Sequence, residues 1–357
     1  DASRLYGAAN PAFAGIYTGF KNGDLEADLD SAPSFGTTAT SGSPAASYPI
    51  TASGAGDVNY TIAYEAGNLD VTPVPLTIAA ANTNRFYGAD NPAFSAIYMG
   101  FVNGDTEASL DTPPSYFTSA GATSGVDAYT ITPSGATDVN YAISYANGIL
   151  EILPAPLTIS AIDKSRTYGA ANPILTASYL GFVNGEDESV LTNPVSLDTD
   201  ADSMSPVADY PITASGATAA NYAISHVNGT ITVTPAPLTA TAENKTRAYG
   251  AANPPLTIAY TDFVNGETSA VLTELVAATT TADAVSPVAD YVIAASGGSA
   301  ANYQIIHVNG LLSVTPINVT VRAENKFRNY GVANPTFTAT YEGFINGDTA
   351  EDLAAPV

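Results

Sequence analysis

The chain has no cysteine in 357 residues. That removes disulfides, zinc–thiolate sites and thiol catalysis together, so stability has to come from apolar cores and from neighbouring segments. Tryptophan is absent too, and there are two histidines, His226 and His307. Basic residues are scarce, 10 against 34 acidic ones, for a net charge of −24. Nucleic acid is excluded as a partner on this ground, because phosphate binding needs clustered Lys and Arg. The acidic surplus keeps an exposed chain soluble and self-repelling, and it leaves carboxylates free for Ca²⁺. No apolar run reaches the length of a membrane-spanning helix. No signal peptide is legible and Asp1 follows no initiator Met, so the chain reads as a processed or excised piece of a longer protein.

What is present is a repeat. Tyr-Gly occurs at Tyr6, Tyr87, Tyr168, Tyr249 and Tyr330, an 81-residue step without insertion. Asn91-Pro92, Phe101 and Leu110 recur with the same step, as does the Asn-Gly that follows each such Phe. Twenty-one Tyr and 12 Phe, many at fixed repeat positions, argue against disorder. Cutting after the Pro-x-Pro punctuation gives modules 1–75, 76–156, 157–237 and 238–318, with a partial fifth, 319–357. The first lacks part of its opening strand. Proline-stiffened junctions predict a limited range of angles between neighbours.

Within 76–156, the alternation from Leu76, the run Ala93 to Phe101 and Tyr129-Thr-Ile-Thr predict strands. Asp105 to Leu110 reads as one or two helical turns with acidic residues at the start, ended by Pro113-Pro114. Tyr141 to Ile152 reads as a hairpin around a type I′ turn at Asn147-Gly148, opposing Tyr145 to Leu150 and Ile143 to Ile152. The fold class is mainly β: a tandem array of β-rich modules, β-grasp-like or an immunoglobulin-like sandwich. The helix tips the balance toward the former.

Arg-x-Tyr-Gly-x-x-Asn-Pro, Tyr-x-Gly-Phe-x-Asn-Gly-Asp/Glu, Asn-Tyr-x-Ile and Val-Thr-Pro-Ala-Pro-Leu follow one another through the repeats. This succession resembles the MBG domain of the YG type, over essentially the whole chain. Asp262 departs from it, standing where Gly sits in the other modules. The family occurs as tandem copies in very large bacterial surface and adhesin-like proteins. The resemblance therefore implies a bacterial cell-surface location and carries no catalytic residues with it.

Candidate chemistry is thin. His226 and His307 take the position of Tyr64 and Tyr145, so each reads as an aromatic substitute, and no nucleophile–base triad can be assembled. The acidic turn after Asn-Gly could hold Ca²⁺ through Asp105, Glu186, Asp187, Glu188 and Glu267, although acidic residues at a helix start are explained by the helix dipole alone. No other cofactor is implied. Half of the basic residues fall at one repeat position, Arg4, Arg85, Arg166, Arg247 and Arg328, where a salt bridge is expected. Arg85, Tyr87, Gly88, Asn91, Pro92, Phe101, Asn147 and Gly148 are the structural set. The reading is a non-catalytic stalk or filament segment whose partners are neighbouring modules and copies of itself in a fibre. A multivalent module for host or matrix glycans is the alternative.

Overall fold

The computed structural model describes residues 1–355. Its second repeat carries seven strands: β1 Val74–Ala80, β2 Thr83–Phe86, β3 Ala96–Met99, β4 Ser115–Phe117, β5 Ala128–Ser134, β6 Tyr141–Ala146 and β7 Gly148–Leu153. Alternation builds them. Leu76, Ile78 and Ala80 of β1 are buried, as are Leu150 and Ile152 of β7, while Ile149 and Glu151, alternating with the latter two, face outward. Burying one such Leu or Ile contributes about 1.5–3 kcal/mol.

The strand order explains the shape of the module. β1 is flanked by β3, antiparallel, and by β6, parallel, in the register Val74↔Tyr141 to Ala79↔Ala146. β7 is flanked by β2, parallel, in the register Leu150↔Thr83 to Leu153↔Phe86, and by β5, antiparallel; β4 closes the edge. β1–β2 and β6–β7 are therefore two long strands that run side by side and bend together. The three-stranded sheet β3-β1-β6 and the four-stranded sheet β2-β7-β5-β4 are thus joined through these two strands, and the module curls so that they face each other.

At the bend the backbone ladder breaks, and a side chain bridges it: Asn82 Oδ1 accepts from the Ile149 N–H at 2.8 Å. Gly148 is needed there. A Cβ at that position would lie 2.5 Å from the Ala80 carbonyl oxygen.

Two expectations are corrected here. No hairpin joins β6 to β7: Ile143 lies opposite Leu76 and Tyr145 opposite Ile78. Asn147 and Gly148 lack the positive φ of a type I′ turn, whereas Asn103 (φ 56°) and Gly104 (φ 82°) have it. The same dipeptide thus turns the chain at one site and permits a close approach at the other. The predicted helix is a single 3₁₀ turn, Glu107–Ser109, and its copies are equally short. Flanking β-region residues Thr106 and Leu110 stop it at both ends. The concavity of the sheet is accordingly filled by its own side chains; in the fourth repeat Ala240, Ala242, Ile293, Ala295 and Leu312 form one core.

The chain divides into two compact units, one of Asp1–Thr158, Tyr179–Pro194 and Ala217–Ser225, the other of Ile159–Ser178, Val195–Gly216 and the chain from His226 onward. Each holds a core that crosses a repeat boundary. In the first unit Tyr6, Leu69 and Val71 pack with Leu76, Ile78, Leu110 and Tyr141. In the second, Tyr168 and Val233 pack with Leu238 and Tyr303.

Candidate functional site

The recurring residues converge on the junctions between repeats. One half of each junction is a braced turn. Arg85 is buried, and its Nε donates to Asn91 Oδ1 (2.7 Å) while its guanidinium nitrogens donate to the carbonyls of Phe86 (3.2 Å) and Gly121 (2.5 Å). Asn91 Nδ2 in turn donates to the Ala120 carbonyl at 2.8 Å. Arg4, Arg166 and Arg247 repeat the arrangement with Asn10, Asn172 and Asn253. The expected arginine salt bridge is therefore absent. Among the described residues the ion pairs are Lys245–Glu243 and Lys326–Glu324. Amide and carbonyl oxygens satisfy the guanidinium instead, so its charge is buried with hydrogen bonds and without a carboxylate.

This brace fixes Tyr87, whose N–H donates to the Leu153 carbonyl at 2.8 Å, and Gly88 at φ 79° behind it. The other half comes from the next repeat, where the Asn184-Gly185 turn presents Val183 on one side and Glu186 on the other. Glu186 Oε1 accepts from the Tyr87 hydroxyl at 2.7 Å, and its Oε2 accepts from Tyr222 of its own repeat. The two tyrosine rings meet edge to face, with centroids 5.7 Å apart, and Phe182 stands edge-on to Tyr222 at 5.5 Å. Val183 covers Gly88 so closely that no Cβ would fit. Asn221 Oδ1 accepts from the Val126 N–H at 3.0 Å, and its carbonyl accepts from the Ala155 N–H at 3.0 Å.

The same clasp appears at the first junction. Asp105 accepts from Tyr6 (3.1 Å) and Tyr141 (2.7 Å), Val102 sits 2.7 Å from where a Gly7 Cβ would be, and Asn140 Oδ1 receives the Ala45 N–H at 2.9 Å. It recurs between the third and fourth repeats with Tyr168 (2.8 Å) and Tyr303 (2.5 Å) on Glu267. Burial, reinforced by the carboxylate, pushes the Tyr141, Tyr222 and Tyr303 hydroxyls up to about 12. Tyr87 is raised chiefly by its hydrogen bond to Glu186.

The acidic residues considered for Ca²⁺ are thus distributed. Asp105, Glu186 and Glu267 each receive two tyrosine hydroxyls. Asp187 caps the 3₁₀ turn by accepting from the Ser189 N–H at 2.9 Å, and Glu188 lies exposed within that turn. Among the described residues no three His, Asp or Glu side chains gather as a metal site would require. His307 Nε2 meets the Gly297 carbonyl at 2.7 Å, much as Tyr145 meets the backbone of Ala136, so the aromatic substitution preserves a loop contact. Tyr87 and Phe101 belong to the structural set expected from the sequence; Val102, Asn140 and the tyrosine–carboxylate pairing do not. Their signal is a constant separation of 99 residues between Tyr-Gly and the acid, longer than one repeat.

The MBG domain (YGX type) family model matches residues 1–70, 76–151, 157–232, 238–313 and 319–356. No curated protein matches the chain. With five successive matches spanning residues 1–356, the chain belongs to the MBG domain (YGX type) family.

Proposed function

We propose that this chain is a non-catalytic structural segment of a bacterial extracellular surface protein, working without a cofactor as a load-transmitting array of repeats. The observation that carries this reading is the clasp. Each junction within a unit is closed by an apolar knob, a doubly bonded carboxylate and an asparagine, set against the invariant Tyr-Gly of the preceding repeat. Repeats joined in this way resist bending at the junction and shed less stability to each small core, because part of the burial is shared. Family membership supports the surface location, since tandem repeats of this type are typical of surface proteins.

An adhesive role in glycan binding would need a repeated, accessible aromatic platform. The recurring tyrosines Tyr87, Tyr168, Tyr222 and Tyr303 are instead committed to the clasps. The test has two arms. Antibody against the chain should label intact producing cells, and the purified chain should bind nothing on a glycan and mucin array. Labelling only after permeabilisation overturns the location, and strong array binding replaces the structural role with the adhesive one.

A further inference from the structure

We infer that each repeat is a shear clamp, built to hold tension applied along the chain until its central ladder fails as a whole. The inference deepens the structural role proposed above and rests on strand geometry. Tension enters the second repeat at Val74, the start of β1, and leaves at Leu153, the end of β7. The bent strands β1–β2 and β6–β7 are parallel and adjacent. Pulling therefore drags them past one another along their length. It does not peel one from the other.

The ladder between them is nearly continuous from entry to exit. It opens with the Val74 N–H to the Asn140 carbonyl (2.9 Å), runs through the registers of β1/β6 and β2/β7, and ends with the Tyr87 N–H to the Leu153 carbonyl (2.8 Å). Asn82 bridges the one gap, at the bend. The fourth repeat has the same build: Ala236–Ala242 pairs with Tyr303–Val308 and Lys245–Ala248 with Gly310–Thr315, all parallel, and Asn244 Oδ1 accepts from the Leu311 N–H at 2.8 Å. Asp163 serves the same purpose for Thr230 (2.8 Å).

Bonds loaded together share the force, whereas bonds loaded in sequence fail one at a time. A parallel pair of terminal strands is the arrangement that enforces sharing. The clasps act in the same sense, since the Tyr-Gly turn that anchors each one directly follows β2 and bonds to Leu153 at the end of the exit strand β7, on the ladder's last rung.

The absence of cysteine makes a clean experiment possible, because attachment points can be placed at will. The full chain is stretched in a single-molecule instrument, once from its two termini and once from cysteines introduced by Pro73→Cys and Val139→Cys. Both positions are exposed and precede the adjacent starts of β1 and β6, so the second geometry unzips the same ladder. Terminal pulling should give discrete events, each releasing about 280 Å of extended chain, at forces at least about twofold above the unzipping force. Asn82→Ala should lower the force of one event only, and Asn82→Asp should leave it unchanged, as Asp163 does in the third repeat. Equal forces in the two geometries, or extension from the termini without discrete events, would overturn the clamp. Neither result bears on surface location, which is read on cells, so the two proposals fail separately.

Discussion

Residues 60–65 and 141–146 hold the same repeat positions and read Tyr-Thr-Ile-Ala-Tyr-Glu and Tyr-Ala-Ile-Ser-Tyr-Ala, yet only the second is a strand. The difference lies in the partner. β6 is held by β1 in the register Val74↔Tyr141 to Ala79↔Ala146, whereas no strand among the described residues pairs with 60–65. Local contacts survive without it. Tyr64 still meets the Ala55 backbone (2.8 and 3.1 Å) as Tyr145 meets Ala136, and Tyr60 still donates to Asp24 at 2.7 Å. The first repeat also keeps its other sheet half, Ala2–Leu5, Gly67–Thr72, Ser47–Ser53 and Ser34–Thr37. Strand formation here belongs to the parallel pair; the sequence of either member alone does not confer it.

The comparison breaks most severely at Gly148. A valine there would drive its Cβ onto the Ala80 carbonyl and force β1 and β6–β7 apart, at a cost of about 3 kcal/mol. Amides of 141–153 should then exchange with solvent as fast as those of 60–65, measured by hydrogen exchange on the full chain. Gly42→Val, where no atom lies within 4 Å of the added Cβ, is the control and should shift protection by no more than about 0.5 kcal/mol. Unchanged protection in Gly148→Val would show that the close approach is dispensable.

Alkali should separate the regions more gently. Tyr141, Tyr222 and Tyr303 titrate near 12 in the folded chain, against an ordinary value of about 10 unfolded. A raised folded value means the folded state holds the proton more tightly. The resulting stabilisation is complete below about pH 10 and is lost as pH rises to about 12. Tyr60 is half-buried, and the Lys21 backbone N–H at its hydroxyl opposes the upward pull of Asp24, so it should ionise ahead of those three. Tyrosinate absorbance recorded alongside hydrogen exchange checks the order. Loss of protection at the junctions without tyrosinate formation would contradict it.

Much of this was legible in the residues, and the rest was not, for reasons of distance. The period, the strand that alternates from Leu76 and the structural part played by Tyr87 and Phe101 follow from side-chain alternation and exact spacing, which are local or periodic signals. Asn147-Gly148 reads as a hairpin turn because Asn-Gly carries the same local signal at 103–104, where it does turn. What distinguishes the two sites is a parallel partner 67 residues away. A longer helix is expected after Asp105 because a short acidic start resembles a cap, although only three residues are helical before Leu110. Charge alone predicts a carboxylate for the buried Arg85, while its actual partners are the Asn91 amide oxygen and the backbone carbonyls of Phe86 and Gly121, the latter two of which a sequence does not advertise.

The smallest effect distinguishes the second repeat from the fourth. Tyr260 accepts a hydrogen bond from the Val276 N–H at 3.0 Å, but the equivalent position in the second repeat is Pro114, which has no N–H to give. The Tyr98 hydroxyl is consequently shielded from solvent without a partner, and burial raises its ionisation well above the ordinary range. Removing a polar group that makes no bond costs little, whereas removing one that satisfies a donor leaves that donor unpaired. Tyr98→Phe should therefore leave hydrogen-exchange protection of β1 and β3 unchanged or raise it by up to about 1 kcal/mol, while Tyr260→Phe should lower it in the fourth repeat by about 1 kcal/mol. Equal losses at the two positions would mean that Tyr98 has found an acceptor or a water that its shielded oxygen does not suggest.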